Sequence, residues 1–545
     1  MPVSTTPQAT TALTGDLADS LLAALRTLPV QPCHHARHSL ALGASLLGAL
    51  CGDQQQALPP GDSRFGHPDW QTQPCLQRSL QAWLSLCTQG EDWLQGLQVS
   101  PADRSRLALL GRQLSAALAP SNSPLNPEFR ARLKETGGRS LLNGLQHLAA
   151  DLLMERPLAP LSDDHTFLLG RDLACTPGRV VQRQPLFELI QYQPRTPKVH
   201  GKPLLIIPPP LNRFYLLDLT PTSSLVRHAL EQGLQVFLIS WRNPTPDQAE
   251  WGFNQYVGAC LAALETSCAI AESKQAMLLA VCAGGVLGLL LQGLLQARNQ
   301  SQRLSASSYL VTPLDARLQT DMLALAGPAT RQRLRRRLWR QGCLQANQLG
   351  SSFAWLRPEH FVWPMALQRY GLDQPPPARE VMFWSQDNTR LPARLVEDML
   401  DLFERDPLAA PGHIVVQRAA IDLSGIQTPS WHLGAQRDHI VNWQNSYPGS
   451  RLGGDKVFVQ SHSGHIQSLI NPLEHPGARF RVGPAQQADA DAWLASSTAH
   501  EGSWWPHWSS WLKTHAGRLK AAPAELGNTH FPPLDAAPGR YVYQS

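Results

Sequence analysis

Residues 186–315 predict an α/β fold built on a mostly parallel sheet. One observation is a series of short, continuous apolar runs that read as strands: Leu204–Ile207, Leu234–Ile239, Met277–Val281 and Tyr309–Thr312. A second is the helical spacing between them, because apolar strands alternating with helices are those of a parallel sheet covered on both faces. The third is the join at 276–291, where an apolar strand runs through a turn centred on Cys282 straight into an apolar helix. Such a turn is strained and lifts its central side chain into the open, and small residues two positions to either side let helix and strand pass closely. Here these are Ala280 and Gly284, giving A-x-C-x-G where the usual thiol version would read G-x-C-x-G. A buried cysteine in a Gly-containing turn has the same local pattern, so the chemical reading depends on partners downstream.

In chain order the sequence reads as four blocks. Residues 1–185 are Leu/Ala/Gln-rich with helical spacing, as in Ala102–Leu118, and predict a mainly helical N-terminal domain whose first ~20 residues are loose. Residues 186–315 form the first part of the sheet core. Residues 316–425 are a mostly helical insertion, placed where folds of this kind carry a cap. Residues 426–545 return to the sheet and end in helices. No internal repeat is present.

The chain has 545 residues, 43% of them apolar and 16% charged, which suits a globular protein with a sizeable core and excludes a disordered one. Basic residues number 47 against 42 acidic, a net +5 too small to argue for nucleic acid as a partner. Nine cysteines, an odd number without Cx₂C spacing, predict reduced thiols in a cytoplasmic protein. The stretch Met1–Gly15 lacks the basic start and apolar centre of a secretory signal. The longest apolar run, Met277–Leu291, falls short of the ~18 residues of a membrane span, so no transmembrane segment is expected.

A nucleophile in such an elbow needs an acid and then a histidine later in the chain, the order of the α/β-hydrolase fold. Asp438 follows the strand-like run Ser430–Gly434, and His465 follows Lys456–Gln460. Separations of 156 and 27 residues leave room for the insertion before the acid and for one helix and one strand before the base. A free thiol, with a pKa of about 8.5, is mostly protonated at neutral pH and attacks only as thiolate. Imidazole takes that proton, and a carboxylate behind the ring fixes its tautomer. The expected catalytic set is therefore Cys282, His465 and Asp438. His439, adjoining the acid, and His462, nearer the strand end, are its rivals. A metal reading of His462-x-x-His465 has no further ligands to support it. For the oxyanion of an acyl intermediate, the expected donors are the N–H groups of Ala283 and of Leu211 in the loop Pro208–Asn212. A rigid proline loop with a purely structural purpose is the alternative for Leu211.

The Cys282-Ala-Gly-Gly elbow, Asp438-His-Ile, Ser463-Gly-His465-Ile with Asn471-Pro472, and Ser240-Trp-Arg-Asn-Pro244 resemble polyhydroxyalkanoate synthases. So do Pro208–Leu219, Phe383–Pro392 and the box Arg64-Phe-Gly-His-Pro-Asp-Trp70. The resemblance is strongest to the medium-chain (class II) branch and covers roughly residues 60–515. It implies polymerisation of (R)-3-hydroxyacyl-coenzyme A into polyester, coenzyme A being part of the substrate and no separate cofactor being needed. Cys282 would take the acyl group from the thioester, and His465, helped by Asp438, would deprotonate the 3-hydroxyl that extends the chain. A homodimer, and a place at the surface of polyester granules among granule-associated proteins, are further implications. Glycine is the family's usual residue where Ala280 stands. A thioesterase or polyester depolymerase, and a catalytically weak paralogue acting as granule-bound partner, remain the competing functions.

Three features carry both a functional and a plain reading. The basic cluster Thr330–Arg340 reads as a coenzyme A phosphate site or as a solvated helix face. Trp504, Trp505, Trp508 and Trp511 read as a polymer-binding patch or, from their helical spacing, as a helix packed on the core. Trp443 is a candidate wall of the acyl channel.

Overall fold

The computed structural model describes residues 8–544 except 53–55, 59–61, 155, 157, 164, 316–320, 322–323, 325–326, 450 and 488. The chain divides into two compact units: residues 164–320, 335–347 and 379–545 form one, and residues 1–163, 321–334 and 348–378 the other.

The first unit is built on a ten-stranded sheet. Its strands in chain order are β1 Gly178–Arg183, β2 Phe187–Tyr192, β3 Pro203–Ile207, β4 Gln235–Trp241, β5 Ala276–Val281, β6 Leu304–Leu310, β7 Ser430–Ala435, β8 Lys456–Ser461, β9 Arg479–Pro484 and β10 Thr498–Glu501. Their spatial order is β1-β2-β4-β3-β5-β6-β7-β8-β9-β10. From β4 to β8 every pairing is parallel, and antiparallel strands flank both sides. This is the mostly parallel α/β-hydrolase sheet the sequence predicts. Strands β3, β4 and β5 are buried along their whole length because helices cover both faces, which is why they read as unbroken apolar runs. β5 lies between β3 and β6, so the turn after it opens at the centre of the sheet's C-terminal edge.

One strand differs from expectation. β6 covers Leu304–Leu310, earlier than the apolar run Tyr309–Thr312, because its serines disguise it. Inside the core these serines have partners: Gln292 Nε2 donates to Ser307 Oγ and Trp508 Nε1 to Ser308 Oγ, both at 2.9 Å. A buried hydroxyl with a partner is tolerated in a strand that periodicity alone would reject. The same contact places the tryptophan helix Trp505–His515 on the core, with Trp504, Trp505 and Trp508 buried. Trp443 is likewise part of an aromatic cluster with Tyr447, Phe458 and Trp493.

The observed units differ from the expected blocks. β1 pairs with β2, so the chain has joined the sheet unit before residue 185. The insertion 316–425 is divided. Residues 348–378 group with the N-terminal helices, where Arg369 makes a two-pronged ion pair with buried Asp151 and Gly144 lies so close to Tyr370 that a Cβ would meet its carbonyl oxygen at 1.8 Å. Residues 335–347 and 379–425 group with the sheet, where Arg335 of the basic helix Pro328–Gln341 pairs with Asp401 at 2.6 Å and Glu404 at 3.1 Å. Arg333, Arg336 and Arg340 of that helix are exposed.

The second unit is helical, as expected, with helices Gln8–Arg26, Pro32–Cys51, Pro74–Gln95, Pro101–Ala117, Pro127–Glu135 and Arg139–Leu153. The first of these occupies much of the stretch expected to be loose, and residues 1–7 lie outside the described residues. Ser100 and Asn126 cap the two helices that begin Pro101 and Pro127: each side chain accepts a first-turn N–H, and proline at the first helical position wastes no donor. Phe65 and Trp70 are buried with Trp83, and the Arg64 guanidinium lies over the Phe65 and Trp83 rings while pairing with Asp62. Among the described residues no helix is long and apolar enough to cross a membrane.

Candidate active site

Cys282 sits at φ 51° and ψ −121°, a left-handed conformation that costs a β-carbon-bearing residue of order 1–3 kcal/mol. The turn survives because both flanks are pinned. The Cys282 N–H donates to the Leu310 carbonyl at 2.8 Å, and the Gly285 N–H donates to the Cys282 carbonyl at 2.9 Å. The helix Ala283–Ala297 starts directly after it. Ala283 is its first residue, so that amide has no acceptor within the helix and sits at the positive end of the dipole, beside the sulfur-bearing residue.

Small residues permit the crossing. A Cβ on Gly284 would lie 2.5 Å from the Ile207 carbonyl oxygen and 2.6 Å from that of Pro208, so the helix start presses on the end of β3 and the loop beyond. A Cβ on Gly285 would overlap the Thr312 side chain. The methyl of Ala280 is met by Gly288: a Cβ there would lie 2.8 Å from the Ala280 Cβ. The departure from glycine at 280 is thus absorbed by a glycine in the second turn of the helix.

Asp438 and His465 follow β7 and β8. Asp438 Oδ1 accepts the N–H groups of Ile440 at 2.8 Å and Val441 at 2.9 Å, which fixes the carboxylate, and Oδ2 lies 2.6 Å from His465 Nδ1. The Asp438 side chain is fully buried and His465 is 4% exposed. Burial opposes a charge on the His465 ring, but the neighbouring Asp438 carboxylate and Cys282 sulfur outweigh it and raise its pKa to about 10. The ring therefore interacts with both the acid and the sulfur. His462 is turned elsewhere: its Nδ1 meets Gln436 at 2.6 Å and its Nε2 meets Arg437 at 2.9 Å, on the surface. Among the described residues no cluster of three or more His, Cys, Asp or Glu residues is fit to hold a metal ion.

Leu211 lies on the loop after β3, whose carbonyls at Pro210 and Leu211 accept from the Thr389 hydroxyl at 2.8 Å and its N–H at 3.4 Å. Asn212 donates to Asn388 at 2.7 Å. The motifs Pro208–Leu219 and Phe383–Pro392 were legible as signatures, but only the fold shows that they bind one another. The signal in the sequence is an Arg–Tyr and Asp–Asn–Thr complementarity across more than 170 positions, which no local pattern reveals.

A cysteine on a strained strand-to-helix turn, facing a carboxylate-backed histidine from the loops after β7 and β8, is suited to acyl transfer through a thioester on an α/β-hydrolase fold. Residues 61–229 match the family model described as the poly-beta-hydroxybutyrate polymerase (PhaC) N-terminus. Poly(3-hydroxyalkanoate) polymerase 2 of Ectopseudomonas oleovorans is 40% identical over 97% of this chain and 96% of its own, and polymerase 1 of that organism is 37% identical over 97% and 95%. The poly(3-hydroxyalkanoate) polymerase subunit PhaC of Cupriavidus necator is 32% identical over 96% and 90%. The chain belongs to the poly(3-hydroxyalkanoate) polymerase family. Solved structures that align are more distant, such as the carboxylesterase CesB (YbfK) of Bacillus subtilis at 11% identity, TM-score 0.30, over 54% of this chain and 87% of its own.

Proposed function

We propose that the protein polymerises medium-chain (R)-3-hydroxyacyl-coenzyme A thioesters into polyester, with Cys282 as nucleophile, His465 as base and Asp438 as the acid that orients it. The observation that carries this reading is that the buried His465 ring meets the Asp438 carboxylate at 2.6 Å and also interacts with the Cys282 sulfur. Asp438 raises the basicity of the His465 ring, which suits it to take the proton of the attacking sulfur.

The sulfur forms a bond to the substrate's thioester carbon, the bond to the coenzyme A sulfur breaks, and His465 gives its proton to the departing thiolate. One thioester replaces another, so the acyl group stays activated. His465 then accepts the proton of a 3-hydroxyl, whose oxygen attacks the acyl carbon as the Cys282 sulfur leaves. The Ala283 and Leu211 N–H groups are the proposed donors to the oxyanion in each step. A homodimer at the surface of the polyester granule, in the cytoplasm with other granule-associated proteins, is the proposed working state.

The test is thiol release and polymer formation from (R)-3-hydroxydecanoyl-coenzyme A, beside a C4 substrate, with the native protein and Cys282→Ala in parallel. Thiol release with insoluble polyester, faster on the C10 substrate and lost in the variant, is the expected result. Release without polymer would make the protein a thioesterase, and silence on both substrates with primer present would mark a non-catalytic paralogue.

A further inference from the structure

Around the loop after β3, stretches far apart in the sequence are tied together, and one guanidinium joins them. The Arg213 side chain is 5% exposed. Its Nε donates to Asp387 Oδ1 at 3.2 Å, its Nη1 to the Tyr541 carbonyl at 3.1 Å, and its Nη2 to the Gln544 carbonyl. Each acceptor is held in turn. Tyr215 donates its hydroxyl to Asp387 Oδ2 at 2.9 Å. Glu188 of β2 accepts the N–H groups of Arg540 and Tyr541, both at 2.9 Å, and Asn243 Nδ2 donates to the Gln544 carbonyl at 3.1 Å.

The loop itself is gripped along its length. The carbonyls of Pro208, Pro210 and Arg213 accept from Trp241 Nε1, Thr389 Oγ1 and Trp384 Nε1, each at 2.8 Å. The start of the elbow helix presses on the first of those peptides through Gly284. A buried guanidinium is costly to desolvate, and an apolar side chain of similar volume would serve packing as well. What the charge supplies is geometry: three fixed donors aimed at three fixed acceptors.

We propose that Arg213 is a positioning residue for acyl transfer: by joining the 208–213 loop to Asp387 and to the Tyr541–Gln544 segment, it holds that loop at the distance from the Cys282 turn that a developing oxyanion requires. Arg213 touches none of the reacting atoms. The inference rests on the reading of Cys282, His465 and Asp438 given above. A shift of about 1 Å in a group that meets the transition state costs about 10²-fold in rate, so a loop only slightly released is a measurable loss.

The test uses the full chain and two readouts: steady-state thiol release from (R)-3-hydroxydecanoyl-coenzyme A, and the rate at which iodoacetamide alkylates Cys282, followed on its own peptide by mass spectrometry. Alkylation depends on the Cys282–His465 pair but builds no oxyanion. Arg213→Ala is expected to lower kcat about 10²-fold, leave KM within about threefold and leave alkylation unchanged. Thr389→Val keeps the volume and removes only the hydroxyl that holds Pro210; it is expected to lower kcat about tenfold with alkylation again unchanged. Because it disturbs so little, it decides the matter if Arg213→Ala does not fold. Native kcat in Thr389→Val, or alkylation falling in step with kcat in either variant, overturns the proposal. Failure of the underlying reading is separate: it shows as thiol release surviving in Cys282→Ala, whatever the loop variants do.

Discussion

The unit that carries Cys282 and the N-terminal unit bury their apolar residues in different ways. In the first, one cluster runs continuously from Leu173 through β3, β4 and β5 to Trp508 and Val542, and Cys282 packs against it. In the second, the buried apolar residues form small clusters, one around Phe65, Trp70 and Trp83 and one around Leu94, Leu97 and Leu107. There Leu142, Leu152 and Leu153 are 62%, 67% and 86% exposed. In the sheet unit a change of one methyl reaches the reactive turn. In the helical unit a few aromatics hold the structure, and many leucines contribute little to it.

The largest expected effect lies in the sheet unit and leaves the fold alone. Cys282→Ala should lower thiol release by about 10⁴-fold or more while the thermal midpoint stays put. A falling midpoint would mean that the cysteine is structural. Next comes the aromatic box of the helical unit, where Trp70→Ala should cost about 3–5 kcal/mol. Hydrogen exchange over residues 65–119 should accelerate while β3–β5 stay protected; equal acceleration in both would erase the contrast drawn between the units.

A third effect is a pH dependence. Burial raises the pKa of Asp218 to about 6 against the opposing pull of hydrogen bonds from Ser224 and Thr176. The folded state holds this proton more tightly than the unfolded chain, so the stabilisation is complete below the ordinary value of 3.8 and is lost as pH rises through about 6. Across that window unfolding should become easier by up to about 3 kcal/mol, and Asp218→Asn should flatten the slope. A slope unchanged in the variant would assign the titration to another group.

Smaller again is the crossing of β5 and the elbow helix. Gly288→Ala should destabilise by about 1–3 kcal/mol, and Ala280→Gly in the same chain should recover most of that, since the two Cβ atoms occupy one space. Additive effects would show that they do not share it. The smallest is Leu153→Gln in the helical unit, expected within about 0.5 kcal/mol of the native chain. A loss of several times that would reveal a partner for the exposed leucines.

Much of this was legible in the sequence, for reasons that can be named. Strands buried on both faces are mostly apolar, so β3, β4 and β5 stood out as runs, and the join around Cys282 showed as an apolar strand running straight into an apolar helix. Asp438 and His465 were legible because each follows a strand in the order such a sheet imposes. β6 was misplaced because its serines are paid for by Gln292 and Trp508, side chains the local pattern does not contain. The division of the insertion was hidden for the same reason: helical periodicity shows that a helix has an apolar face, never which neighbour will cover it.

Sequence alone thus determined the class of sheet and the elbow, and narrowed the proposed chemistry to Cys282, Asp438 and a small set of histidines, because local sterics and periodicity act within a few positions. Tertiary structure decided that His465 and not His462 meets Asp438, that Gly288 makes room for Ala280, and that Arg213 gathers Asp387, Tyr541 and Gln544 around one loop. Those choices depend on distances between residues up to 331 positions apart, which exist only once the sheet has closed.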